Sequence, residues 1–391
     1  MKVLRFLARL LKPVSLYVLL PAALVITGAV SASWFLIQYG KQAYDNSNWF
    51  DAQTGIDEED FVALGGLDQY IRIRGRDRSS PVLLDLHGGP GGASSGINHR
   101  LYRPLTEYFV VVEWDQRGAG KSAGDESVVA TMTYDRMVDD AIELIEHLQQ
   151  RLSVEKVVLV GHSWGSFLGL GVLKKRPDLV SAYVGVGQVM AWNAGFDETA
   201  RLLIEAADAA GDTAIADELR SLPKEWPPKG EKEAFLKRVA AIQLKLFPYK
   251  KSYHALKESN FYKTDFVLDM FLSPDLDLAS SILGGGSQQA ATMELADDLY
   301  GRDLRRDFGY DYDVPVFIFQ GEHDWQTPTT LVKPWFSELK APYKEYIAFE
   351  DSGHYVYPEE PGKYIVSLVS RVLPVARNST LEAAQNDDEP L

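Results

Sequence analysis

The chain contains no cysteine, so disulfides, thiol catalysis and cysteine-ligated metal sites are excluded together. It lacks any excess of positive charge: 55 acidic against 40 basic residues leave a formal charge of -15. With no basic patch in the soluble part, this balance argues against a nucleic-acid partner. No ligand pattern for calcium, zinc or a nucleotide is present, so no metal and no cofactor is expected. There is no internal repeat. What the 391 residues do have is apolar mass: 46% are hydrophobic and 11% aromatic, enough for a large core.

Some of that apolar mass is concentrated at the N-terminus. Lys2, Arg5, Arg9 and Lys12 precede a mostly apolar run over residues 14–37, followed closely only by Lys41. The run is long enough to cross a bilayer as a helix. Its flanks predict a single-pass membrane anchor with a cytoplasmic N-terminus and the rest of the chain outside. A cleaved signal peptide leaving a secreted or periplasmic protein is the alternative, because Val30-Ser31-Ala32 offers small residues for cleavage. Residues 1–40 are thus read as a cytoplasmic stub and anchor, and 41–59 as a linker.

From Phe61 to Ile73 the alternation suggests a hairpin, with a turn at Arg74–Asp77. Pro81–Leu86, Phe109–Trp114, Val157–Val160 and Ala182–Val189 are near-continuous apolar runs, as strands buried on both faces are. A helical pattern over Met137–Leu152 and another over Phe167–Lys175 separate them. Strands alternating with helices imply a mostly parallel, doubly wound sheet. After Met190 the pattern is helical for more than a hundred residues, with Leu202, Leu203, Ala206 and Ala209 as one stripe, before strands return at Val314–Gln320 and Tyr343–Phe349. This reads as a helical cap, 191–304, inserted into a core of 60–190 and 305–375. A disordered tail, 376–391, would close the chain.

Chemistry enters where the run Val157–Val160 ends in Gly161-His162-Ser163-Trp164-Gly165. A strand followed by Gly-x-Ser-x-Gly and a helix is a nucleophile elbow, a strained turn that holds a serine hydroxyl clear of the sheet. A serine needs a base and a group to orient that base, and in an α/β-hydrolase they follow as acid, then histidine, each after a strand. Asp324, in Gly321-Glu322-His323-Asp324, is the expected acid, and His354, in Asp351-Ser352-Gly353-His354, the expected base. Glu322 is a rival acid, and His323 a competing imidazole in the wrong chain order. His99, His147 and His254 read as structural or solvated. The glycine-rich loop His87–Gly92 could offer backbone N–H groups to a developing oxyanion, with the N–H of Trp164 as second donor. A phosphate-binding loop is excluded because no Lys-Ser/Thr pair closes the glycines. Asp115–Ser122 reads as a loop that buttresses the site.

His87–Gly92, the Asp-Gln-Arg-Gly-x-Gly-x-Ser form of Asp115–Ser122, Ser163-Trp164-Gly165-Ser166 and Ser352-Gly353-His354 together resemble the proline iminopeptidase family of α/β-hydrolase serine peptidases. The resemblance covers most of residues 60 to 375. It implies an α/β-hydrolase fold with an inserted helical cap, and an exopeptidase that releases an N-terminal residue. Ser163, Asp324 and His354 would be its triad, with Gly89 and Trp164 as the oxyanion hole. Family members hold the substrate amine with cap glutamates, for which Glu198, Glu205 and Glu294 are candidates. Two positions depart from the family pattern: His162 replaces a glycine and Glu322 an arginine. The partner expected is a small peptide or a small-molecule ester or amide. An esterase on the same triad is the second expectation, and a non-catalytic binding protein of the same fold the third.

Overall fold

The structure, a computed structural model, describes residues 20–46, 50–51, 53–96, 98–246, 273, 275 and 285–378. The cations at 2–12, the start of the apolar run, His254 and residues 379–391 lie outside the described residues. Eight strands form one sheet in the order β1-β2-β4-β3-β5-β6-β7-β8. They are β1 Ile56–Leu64, β2 Leu67–Gly75, β3 Val82–Leu86, β4 Val110–Trp114, β5 Val157–His162, β6 Val180–Val186, β7 Val316–Gly321 and β8 Lys344–Phe349. The pairs β1–β2 and β2–β4 are antiparallel, and every later pair is parallel. This is the α/β-hydrolase fold, and the parallel strands bring the ends of β3, β5, β7 and β8 to one edge of the sheet.

All residues of β3, β4, β5, β6 and β7 are buried. Their continuous apolar character follows from cover on both faces. On one face lie helices over Tyr134–Leu152, Trp164–Lys175 and Thr329–Glu338, with Val138, Ile145, Phe167 and Trp335 in the core. The other face is covered by Leu101, Tyr102 and Leu105 and by the C-terminal helical segment through Tyr364, Leu368 and Val372. The Tyr134–Leu152 helix starts where Thr133 Oγ1 accepts the N–H of Arg136, and it stops at Ser153 in a left-handed conformation.

The cap contributes helices over Asn193–Ala210, Thr213–Arg220, Lys232–Gln243 and Gly285–Leu299. Phe196, Leu203, Leu219, Phe235, Val239 and Ile242 form a separate apolar cluster. The buried stripe of the first cap helix runs through Phe196, Leu203 and Ala207, not through Leu202, Ala206 and Ala209. Those alternatives lie at the same helical spacing, and only packing decides between them.

Three boundaries are corrected. The hairpin turns at Gly65-Gly66, and Arg74 and Gly75 belong to β2. Residues 56–59, read as linker, are the start of β1; its Asp57, Glu58, Glu59 and Asp60 hide the strand pattern. Those charges suit an edge strand, which they guard against further pairing, and Glu58 pairs with Arg78 and Arg151. At the other end the chain stays helical to residue 378. Ala376, read as tail, is buried there because it packs into the second core layer.

At the N-terminus a helix runs over Leu20–Asn46, 27 residues. Its segment Pro21–Ala43 is long and apolar enough to cross a membrane by length and composition. Leu24, Val25, Trp34, Phe35 and Leu36 on it are exposed.

Candidate active site

Ser163 stands between the last residue of β5 and the first of the following helix, at φ 52 and ψ -120. A non-glycine residue there is strained and has to be held by its surroundings. Its N–H donates to the Val186 carbonyl at 2.9 Å, and its own carbonyl accepts from Ser166 N at 2.9 Å and Ser166 Oγ at 2.6 Å. The flanking glycines are required by close approach: a Cβ at Gly161 would run into the Gly165 carbonyl, and one at Gly165 into that of Leu86. Trp164 opens the helix, so its N–H belongs to the first turn, whose donors have no partner within the helix.

The chain beyond β7 delivers Asp324 and the chain beyond β8 delivers His354, and the two meet. His354 Nδ1 donates to Asp324 Oδ2 at 2.9 Å, with both side chains buried. The carboxylate also accepts from Gln326 N at 2.9 Å, Thr327 N at 2.8 Å, Thr327 Oγ1 at 2.6 Å and Gln320 Nε2 at 3.1 Å. Burial pushes the Asp324 pKa up, but His354 and the Thr327 hydrogen bonds outweigh it and hold the carboxyl below its usual range. The other ring nitrogen, His354 Nε2, is buried and has no hydrogen-bond partner among the described residues, Ser163 Oγ included. Bonds of this kind are often long in an unliganded site. The rival acid turns elsewhere, Glu322 pairing with Lys333 at 2.6 Å.

The loop His87–Gly92 leaves the end of β3 and runs past the elbow, where Gly88 faces His162 and Ser163 Cβ. His87 Nε2 accepts the N–H of Gln116 at 3.1 Å, so Nδ1 carries the proton and donates to the Gly88 carbonyl at 2.8 Å. Burial pushes the His87 imidazole down to about 4, which keeps it neutral. The Gln116 amide donates to the His87 carbonyl at 3.1 Å and accepts from Trp164 Nε1 at 2.9 Å. Beside it, buried Arg117 pairs with Asp140 at 2.7 Å and donates to the Leu64 carbonyl at 3.0 Å. The segment Asp115–Ser122 therefore braces the site from behind.

Over Ser163 lies a cavity of about 50 Å³ lined by Gly89, Val189, Met190, Trp192, Phe196 and Leu331, with Gln243, Gln326 and Thr327 as polar members. None of the three candidate glutamates lines it. Glu198 is bound to Arg201 at 2.7 Å and to Thr330 Oγ1 at 2.6 Å, exposed Glu205 pairs with the same Arg201, and Glu294 pairs with Lys232 at 3.3 Å. Each carboxylate is occupied by a neighbouring cation, a contact that helical spacing alone does not reveal.

The sequence reading missed Thr327, Gln320 and the bridging role of Gln116. For Thr327 a signal existed: an aspartate followed by Gln-Thr-Pro two residues on is a turn in which the carboxylate takes the next backbone N–H groups. Gln320 and Gln116 carry no comparable local mark, because their partners are made only by the folded chain. His162 was visible only as a departure from the family pattern. Its Nε2 lies 3.0 Å from the His354 carbonyl.

An α/β-hydrolase fold family model matches residues 81–224. The chain is 30% identical over 310 residues to a protein of Bacillus subtilis (strain 168) named "Probable aminopeptidase YbaC", covering 78% of this chain and 93% of that one. It is 38% identical over 115 residues to a proline iminopeptidase of Arabidopsis thaliana, covering 29% of this chain and 28% of that one. Among solved structures, a proline iminopeptidase-related protein of Thermus thermophilus superposes with a TM-score of 0.53 at 21% identity, covering 84% of this chain and 99% of that one. At that identity the superposition speaks for the fold alone. The B. subtilis relative, matched over nearly its whole length, carries the family with it: this chain is a hydrolase that belongs to the proline iminopeptidase family of α/β-hydrolases.

Proposed function

We propose that the chain is a serine aminopeptidase of proline iminopeptidase type, releasing an N-terminal residue from small peptides through an acyl-enzyme on Ser163. One observation carries the reading: the buried His354–Asp324 pair, whose second ring nitrogen is unpartnered among the described residues, at the sheet edge where strained Ser163 stands. The names of the B. subtilis and A. thaliana relatives support the amide substrate.

In this reading His354 Nε2 takes the Ser163 proton as Oγ bonds to the substrate carbonyl carbon. Asp324 fixes the imidazole tautomer and steadies the imidazolium that forms. The negative charge on the carbonyl oxygen is met by the N–H groups of Gly89 and Trp164, a contribution of typically about 3 kcal/mol per donor. His354 then hands its proton to the leaving amine as the C–N bond breaks. A water deprotonated by His354 releases the acid and restores Ser163. No step calls on a metal or a cofactor.

The cavity residues favour one second reading, an esterase or other small-molecule hydrolase. Among the described lining residues there is no carboxylate to receive a substrate amine. A panel of proline and alanine aryl-amides, their N-acylated forms and short-chain aryl esters decides between them. Turnover of free-amine amides, lost by at least about 10⁴-fold in Ser163→Ala, supports the peptidase. Ester turnover without amide turnover moves the chain to the second reading. Inertness to the whole panel, together with no labelling by an organophosphonate, points to a binding protein. The proposal extends to location: residues 14–37 anchor the chain with its N-terminus cytoplasmic and its catalytic domain outside. The intact mass of the membrane-extracted protein tests this, since loss of roughly the first 30 residues would reveal a cleaved signal instead.

A further inference from the structure

We propose that His162 is a positioning residue for His354, tying the loop that carries the base to the elbow that carries the nucleophile. The inference rests on the catalytic reading of Ser163 and His354. His162 is the last residue of β5, directly before Ser163, and its ring is buried between two loops. On one side its centroid is 4.8 Å from that of His354, 5.5 Å from Tyr355 and 5.2 Å from Tyr357. On the other side Gly88, in the glycine loop, leaves just enough room for it: a Cβ there would sit 3.0 Å from His162 Nδ1.

The bond that matters is the one to the His354 carbonyl at 3.0 Å. A carbonyl only accepts, so His162 Nε2 holds the proton and donates it, leaving Nδ1 bare. The other backbone holds on this loop act on the residues flanking the base, the Tyr355 carbonyl accepting from Glu359 N at 3.1 Å on its far side. Gly353 N–H donates to Glu359 Oε2, and the Ser352 carbonyl accepts from His323 N at 3.0 Å. His162 grips residue 354 itself and so sets where the imidazole stands above Ser163. Burial, with the adjacent His354 imidazole, pushes the His162 pKa down to about 3. The ring therefore remains neutral and adds no repulsion when His354 takes a proton.

The test uses the full-length protein in detergent with two variants. His162→Leu keeps bulk and removes the donor; His162→Gln keeps an N–H at similar reach. Misplacing a base by a fraction of an ångström should lower kcat of the Leu variant by about tenfold to hundredfold, with KM within about twofold. The organophosphonate labelling rate should fall in parallel, and the Gln variant should recover most of the loss. Equal rates for the Leu and Gln variants, at either the wild-type or the impaired level, would overturn the role. Should the Leu variant not fold, nitrogen NMR of ¹⁵N-histidine-labelled wild type decides: His162 protonated on Nε2 supports the bond, and protonation on Nδ1 sinks it. A wild-type protein that neither turns over nor labels defeats the catalytic reading and this role with it. An active wild type with an unaffected Leu variant defeats the positioning role alone.

Discussion

The edge of the sheet and the cap above it hold their charges in opposite ways. Asp324 is buried and accepts five hydrogen bonds, from Gln320, Gln326, His354 and twice from Thr327. Glu198 and Glu205, on the first cap helix, share one guanidinium, Arg201, which is 48% exposed. Solvent-exposed pairs of that kind contribute about 0–1 kcal/mol and hold little in place, whereas removing one partner of a buried network leaves an unsatisfied charge. The edge is therefore built to keep reacting groups fixed, whereas the Arg201 pairs of the first cap helix can be altered without loss of the fold. That division lets one chemistry serve different substrates.

The comparison breaks most visibly at Asp324. Replacement by Asn leaves the contour intact but lets the amide favour the wrong imidazole tautomer, so kcat should drop by about 10⁴-fold, measured on whichever amide or ester is turned over. A milder effect is expected at the cap wall. Trp192 lines the cavity and packs edge-on against Phe167, so Trp192→Ala should raise KM about tenfold for apolar substrates while changing kcat by no more than about threefold, in steady-state kinetics.

Glu359 tests the edge through pH. Burial, with Asp324 and Glu360 nearby, pushes its carboxyl up to about 8, against the Gly353 hydrogen bond. A raised pKa means the folded state binds more protons than the unfolded state between about 4.5 and 8. Stability is then greatest below that window and declines as pH rises through it. Chemical denaturation at pH 5 and pH 8 should show Glu359→Gln, which mimics the neutral acid, losing about 1 kcal/mol or more less than wild type between the two. The smallest effect belongs to Glu205→Gln: a change in unfolding free energy within about 0.5 kcal/mol and rates within about twofold on free-amine substrates. A larger rate loss would return this carboxylate to the amine-binding role for which it was one of three candidates.

Most of the sheet was legible because strands covered on both faces are written as unbroken apolar runs, Val157–Val160 among them. The edge strand β1 was not, since Asp57, Glu58 and Glu59 read as a polar linker until their partners Arg72, Arg78, Arg151 and Lys121 are seen. Ser163, Asp324 and His354 could be picked out because an elbow followed by acid and base has a required chain order. Gln320, Thr327 and Gln116 act through contacts made only on folding. The cap was least legible: several apolar stripes share helical spacing, and whether a glutamate faces substrate or a neighbouring arginine depends on packing alone.

The Gln116 side chain, bonded at one end to the His87 carbonyl and at the other to the Trp164 indole, has a mechanical consequence. It welds the nucleophile turn and the glycine loop into one body, so neither can be displaced without dragging the other. Room for a larger acyl group has to come from the opposite wall, through movement or mutation of Trp192, Phe196 and Leu331. Variants with broadened substrate range should then accumulate on that wall, leaving the welded half unchanged.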